Sequence, residues 1–208
     1  MPELRQPKPW PMKWVALAIV IFALGYTQVM LRYRKPGPAH EPYKDAVNRA
    51  TVSRLLNSGY QRVALAVERP ADPLHPGVVR HGALAATRAI PGGLPPALAQ
   101  SLVEKPLLAE AITDVTAETQ ATPAVPYRIQ FSATLADHKR VIAEAHLLRR
   151  DDTLVILPVF EKISGALQSR WNETTVLLTL PTGALPAGRY TATLVGTATS
   201  RTWTLEVK

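Results

Sequence analysis

The order of apolar and polar positions divides the chain into three unlike parts. From Trp14 to Leu31, eighteen consecutive residues carry no charge, and Lys13 and Arg32 bracket them. At 1.5 Å per residue such a helix spans about 27 Å, close to the hydrocarbon thickness of a bilayer. Nothing in the run supplies the polar face of a soluble surface helix. Trp10, Trp14, Tyr26 and Tyr33 lie near its ends, where amphipathic rings favour the headgroup boundary. The pattern predicts a transmembrane helix over 14–32 after a short cytoplasmic tail over 1–13. A cleaved signal peptide is the alternative, and it requires a small-residue cleavage site after the apolar run. The segment from Gln28 to Lys35 offers none, so an uncleaved anchor is expected.

The second part, 33–126, mixes weak periods with prolines. Residues 33–59 read as a Pro-rich spacer, extended because each proline fixes φ, followed by a juxtamembrane helix. In that helix Tyr43, Val47, Ala50, Thr51 and Leu55 recur near helical spacing, and Gly59 supplies the stop. Val63, Leu65 and Val67 alternate with polar or small residues and predict a strand. From Arg69 to Pro96 six prolines interrupt the chain, which reads as an irregular loop. Ala97 to Ile112 leans helical, with Pro106 expected to split or kink it. Thr113 to Pro126 reads as a polar connection.

From Tyr127 onward the period is two. Tyr127, Ile129, Phe131, Ala133 and Leu135 alternate with Arg128, Gln130, Ser132 and Thr134, the mark of a half-buried strand. Val141–Leu148 and Thr153–Phe160 flank Arg149-Arg150-Asp151-Asp152 as a hairpin, with Pro158 expected at an edge or a bulge. Further strands follow at Thr174–Leu180, Arg189–Val195 and Thr202–Val207. Six strands joined by short turns over 127–208 predict a mainly β fold, an antiparallel immunoglobulin-like sandwich, with short accessory helices beside it.

Two resemblances bear on this reading. The ending Leu185-Pro-Ala-Gly-Arg-Tyr-Thr-Ala-Thr-Leu194, followed by Thr202-Trp-Thr-Leu-Glu-Val207, resembles the last hairpin of bacterial immunoglobulin-like domains. The whole layout (one anchor, a helical segment from Tyr43 to Arg49 and a terminal β-sandwich ending in Gly-Arg-aromatic) is similar to FixH-like proteins. Those are membrane accessory proteins associated with the assembly of cbb3-type cytochrome oxidases. Residues 69–126 have no counterpart in that layout, and the chain shows no copper-binding Met or Cys cluster.

Charge narrows the partners. Of the net +8, residues 1–35 hold six Lys or Arg against Glu3, and the other 173 positions carry only +3. The basicity therefore sits beside the membrane, where anionic headgroups attract it, and does not form the aromatic-interleaved face of a nucleic-acid binder. Three basic residues flank the apolar run on each side, so the positive-inside count is a tie. A short tail before a long globular domain favours a cytoplasmic N-terminus, placing the domain outside the cytoplasm at the cell inner membrane. The chain has no cysteine, which excludes disulfides, thiolate metal sites and cysteine nucleophiles.

No constellation names a reaction. His75 and His81, with Asp72 nearby, fall short of a four-ligand site. His138 and His146 are placed on a turn and a strand, exposed or satisfied. Asp151 and Asp152 read as turn formers, and Gly92-Gly93 lacks the Lys-Ser/Thr of a phosphate loop. No G-x-S-x-G elbow is present. The expectation is a non-enzymatic module without cofactor, held to the bilayer by 14–32. It contacts a membrane or envelope protein as an accessory or assembly subunit, with Tyr43, Val47, Leu55 and Trp171 as candidate contact residues. A stand-alone envelope domain binding a ligand, glycan or surface partner is the alternative.

Overall fold

Alternating side chains decide which face of each strand meets the core, and eight strands form a closed surface around it. The computed structural model describes residues 11–33, 42–70 and 83–208, except the side chains of Tyr33, Pro42, Tyr43 and Lys44. The chain divides into two units, Met1–Pro42 and Tyr43–Lys208. In the first, α1 (Met12–Tyr33) is a single helix whose 18-residue apolar window has a mean hydropathy of 2.0. Its residues from Met12 to Arg32 are all exposed. The Thr27 hydroxyl donates to the carbonyl of Ala23 at 2.8 Å, so the polar group is satisfied within the helix. This helix is long and apolar enough to cross a membrane, as an anchor or as a signal sequence.

In the second unit α2 (Pro42–Asn57) leads into β1 (Gln61–Glu68), β2 (Arg88–Pro91) and α3 (Pro96–Ser101). β3 (Ala111–Ala117), β4 (Gln120–Ala121), β5 (Tyr127–Thr134), β6 (Arg140–Arg150) and β7 (Thr153–Lys162) follow. The chain ends in β8 (Glu173–Leu180), β9 (Gly188–Leu194) and β10 (Thr199–Val207). Neighbours run β10-β3-β5-β8-β1-β6-β7-β9, and β9 returns to pair with β10 along Gly188–Leu194. That pairing closes an eight-stranded barrel, with β2 and β4 added on β10. Most pairs are antiparallel; β7–β9, β10–β4 and the single β10–β3 bridge at Thr199 and Ala111 are parallel.

The immunoglobulin-like sandwich expected from the sequence is therefore incorrect, and the FixH-like layout, which rests on a terminal sandwich, loses its structural basis. A sandwich leaves two sheets with free edges. Here β9 joins β7 on one side and β10 on the other, so the strands form one closed sheet. Period-two alternation is common to both architectures and does not distinguish them. The deciding element is β3, which lies within the stretches read as helix and polar connection. Its register shifts between Ile112 and Asp114, so Thr113 is an extra residue and the apolar positions Ile112 and Val115 lie three apart. The bulge erased the period from the sequence.

The resemblance to an immunoglobulin hairpin has a local cause. Tyr190 donates its hydroxyl proton to the carbonyl of Pro186 at 3.0 Å, pinning the 181–187 connection that carries the chain from β8 to β9. The same aromatic corner is a device of Greek-key sandwiches and serves a barrel equally well.

Two apolar clusters form. Inside the barrel Phe131, Leu147, Ile156, Leu178, Leu194 and Leu205 are among the side chains that fill the lumen. The void left beside Trp203 is about 10 Å³, scarcely one water. Outside it, Leu55, Tyr60, Leu98, Leu148, Val155 and Leu157 make a second core between the short helices and the outer face of β6 and β7. Both faces of β6 and β7 are thus covered, which is why Leu147-Leu148 and Leu154–Leu157 are continuous apolar runs.

Helix α2 is stopped as its sequence predicts. Gly59 takes φ +79°, its amide donates to Leu56, and the Tyr60 amide reaches back to Leu55. This is a Schellman closure with its usual apolar contact, Leu55 against Tyr60 in the second core. The helical lean of 97–112 survives only as α3; Pro106 lies beyond it in extended chain, and Leu107 bridges to Phe160. Pro158 sits where β9 no longer pairs with β7, so its missing N–H leaves no ladder bond unmade there.

Candidate functional site

The outer face of β1, β6 and β7 carries the most unusual polar grouping among the described residues. Arg62 on β1 and His146 on β6 point outward by the register that sends Val63 and Leu147 toward the lumen. Helix α2 and the 102–106 segment roof this patch. They leave a cleft of about 120 Å³ lined by Val47, Thr51, Leu55, Arg62, Glu144 and His146, among others. The roof buries the imidazole: the His146 side chain is 10 % exposed, while Glu144 is more than half exposed.

Two charged groups of opposite sign compete over one ring nitrogen. An Arg62 N–H lies 2.7 Å from His146 Nε2, and Glu144 Oε1 lies 3.1 Å from the same atom. In the neutral ring Nε2 either accepts from Arg62 or, carrying the proton, donates to Glu144. Nδ1 is buried and has no partner. Burial, and then the guanidinium of Arg62, hold the His146 pKa below its ordinary 6.5, against the opposing pull of Glu144. The arrangement favours an uncharged ring at neutral pH. Sequence reading placed His146 on a strand; its burial comes from the roof, which single-strand periodicity does not contain.

The four candidate contact residues scatter. Leu55 is 2 % exposed and belongs to the second core. Val47 is half-buried on the edge of the cleft. Tyr43 lies in α2 with its side chain outside the described residues. Trp171 is 67 % exposed on the loop after β7, under the Arg170 guanidinium at 5.6 Å from the ring centre. The structure brings Val47 and Leu55 to one cleft. It also exposes a pair that the sequence reading did not single out, Val52 and Leu56, on the outer side of α2. Spaced four apart, they share one helix face.

His75, His81 and Asp72 lie outside the described residues. Among the described residues no group of three or more His, Asp or Glu is placed to hold a metal ion. Gly92-Gly93 is a point of close approach: Gly92 donates to Ala198 at 2.8 Å, Gly93 to Gly196 at 2.8 Å, and Gly93 has φ +106°. Asp151, in the β6–β7 turn, has φ +52° and is exposed, as a turn former is. No family model matches the chain, and neither a curated protein nor a solved structure matches it. The FixH-like resemblance thus has support from neither fold nor relatives.

Proposed function

We propose that this chain is a single-pass membrane protein whose barrel, held outside the cytoplasm by α1, works by protein contact as an accessory or assembly subunit of a membrane complex. The observation that carries this reading is the filled lumen. Eight-stranded barrels either pack their interior or hold one small ligand; here buried apolar side chains crowd the interior, and the void beside Trp203 is about 10 Å³. Contact then belongs to the outside, where Val52 and Leu56 give α2 an uncovered apolar face. An anchor confines that face beside other membrane proteins and raises its effective concentration toward them.

Because Leu55 is part of the fold, deleting α2 would confound loss of contact with loss of structure. The test is co-purification of the full-length chain from membranes in mild detergent, wild type against V52E/L56E, with bound proteins identified by mass spectrometry. A stoichiometric set of membrane subunits that disappears in the variant, at unchanged thermal stability, is the expected result. Recovery of the chain alone, or the same set with both forms, contradicts it. The cleft beside His146 favours one second reading, an envelope domain that binds a small ligand; a lone chain with a saturable ligand lost in R62A would establish that instead.

A further inference from the structure

The loop between β7 and β8 carries an apolar pair that nothing in the barrel covers. Leu167 is 74 % exposed and Trp171 67 %, four positions apart on a segment, 163–172, without a single acid. The loop is held in place: the Ser169 amide donates to the carbonyl of His138, the Ile163 amide to Lys139, and the Leu135 amide to Asn172, each at 2.7 Å. Exposed single apolar residues are ordinary. An exposed Trp and Leu on a pinned loop, with a guanidinium over the Trp ring, is the composition of a membrane-interface anchor.

The loop shares its end of the barrel with the N-terminus of α2. At the far end of α2, Arg54 and Asn57 share a depression with Arg150, beside the β6–β7 turn. At its near end, Val47 shares the cleft with Glu144 and Val159. Helix α2 therefore points its N-terminus toward the end of the barrel where Arg140 pairs with Lys162 and where the 163–172 loop emerges. That is the end at which the chain enters from α1, through only eight residues, 34–41. Eight extended residues reach at most about 28 Å. The barrel end carrying Leu167 and Trp171 is thus the end to which this short linker attaches.

We propose that loop 163–172 docks into the headgroup interface of the bilayer, with Trp171 and Leu167 entering and Arg170 meeting lipid phosphate. Lys139 and Lys162 flank the loop with further positive charge, and Glu161 and Glu173 offset part of it. Apolar insertion therefore leads, and anionic lipid deepens it. The inference rests on α1 being a membrane anchor. Weak interfacial affinity suffices, because the tether already holds the loop within reach of the surface.

The chain has no cysteine, so single nitroxide labels can be placed cleanly. The full-length protein is reconstituted in phosphatidylcholine liposomes with and without phosphatidylglycerol. Labels go to A166C in the loop, T182C at the opposite end of the barrel and I21C in α1, and collision with a water-soluble nickel chelate is measured. The expected result is an I21C label in hydrocarbon, an open T182C label and an A166C label shielded about five-fold relative to T182C, more so with anionic lipid. Adding L167S/W171S to A166C restores collision. An A166C label as open as T182C, with I21C in hydrocarbon, overturns the docking and leaves the anchor standing. An I21C label in water removes the anchor and the docking together. Since only lipid and this chain are present, a loop that serves a protein partner gives the open result.

Discussion

His146 links a single side chain to a measurable pH response. Its folded pKa lies below the 6.5 of the unfolded chain, so between those two values the unfolded state binds the extra proton. Stability is then complete above about 6.5 and falls as pH drops through that window. Urea midpoints measured from pH 7.5 to 5 should decline, and H146L should flatten the decline. A neutral-pH change within about 1 kcal/mol is expected for H146L, since it removes an unpartnered buried group as well as a partner of Arg62. Asp137, held below its ordinary value chiefly by the Lys139 amide, acts only below about 3.8 and does not enter this range. Gly92 and Gly93 are adjacent but differ in what a side chain would meet. A Cβ at Gly92 would stand 2.5 Å from the backbone of Thr197 and Ala198, whereas at Gly93 it meets nothing and only the positive φ is strained. Thermal unfolding should show G92A costing about 2 kcal/mol and G93A about 1 kcal/mol.

At the scale of elements, α2 separates into a structural and a presented face. Val47, Thr51 and Leu55 turn toward the barrel, and Val52 and Leu56 turn away. L55A should cost about 3 kcal/mol in chemical denaturation, and L56A should stay within about 0.5 kcal/mol of wild type. Equal effects would show that α2 does not pack as described. Strands β1, β5 and β8–β10 were legible because each keeps an apolar alternation, as Ile129, Phe131 and Ala133 do, and β6 and β7 because their apolar runs flank an evident turn at Arg149-Arg150-Asp151-Asp152. β3 was not, because its bulge at Thr113 spends one residue outside the period. β2 was hidden in the Pro-rich stretch, with Pro91 itself in the strand and only Ile90 half-buried. The helix assigned to 97–112 failed past Ser101 because Leu107 and Leu108, which fit a helical stripe, in fact serve the β7 edge and the second core.

The whole molecule is a packed barrel joined to an apolar helix, and closure was the property least accessible to one-dimensional reading. Which strand β9 meets on its second side is a matter of three-dimensional twist, and no local residue pattern encodes it. The candidate cleft was unreadable for the same reason: Arg62 and His146 are 84 positions apart and meet through β1–β6 pairing. Trp203 is buried in the core, its indole N–H directed at the Tyr127 hydroxyl at 3.4 Å, and Tyr127 in turn donates to the backbone carbonyl of Glu118 at 2.7 Å. W203A should therefore cost about 4 kcal/mol and be accompanied by binding of apolar dyes that the filled wild-type barrel rejects.

The proposed contact role requires α1 to stay on the chain and in the bilayer. The decisive measurement is the intact mass of the endogenous protein in membranes washed with alkaline carbonate, combined with its digestion by protease added from the extracytoplasmic side. The expected result is a full-length chain retained in the washed membrane, its barrel accessible to that protease. A shortened chain lacking the N-terminal segment and released into the soluble fraction would contradict it, and would make α1 a signal sequence and the barrel a free domain.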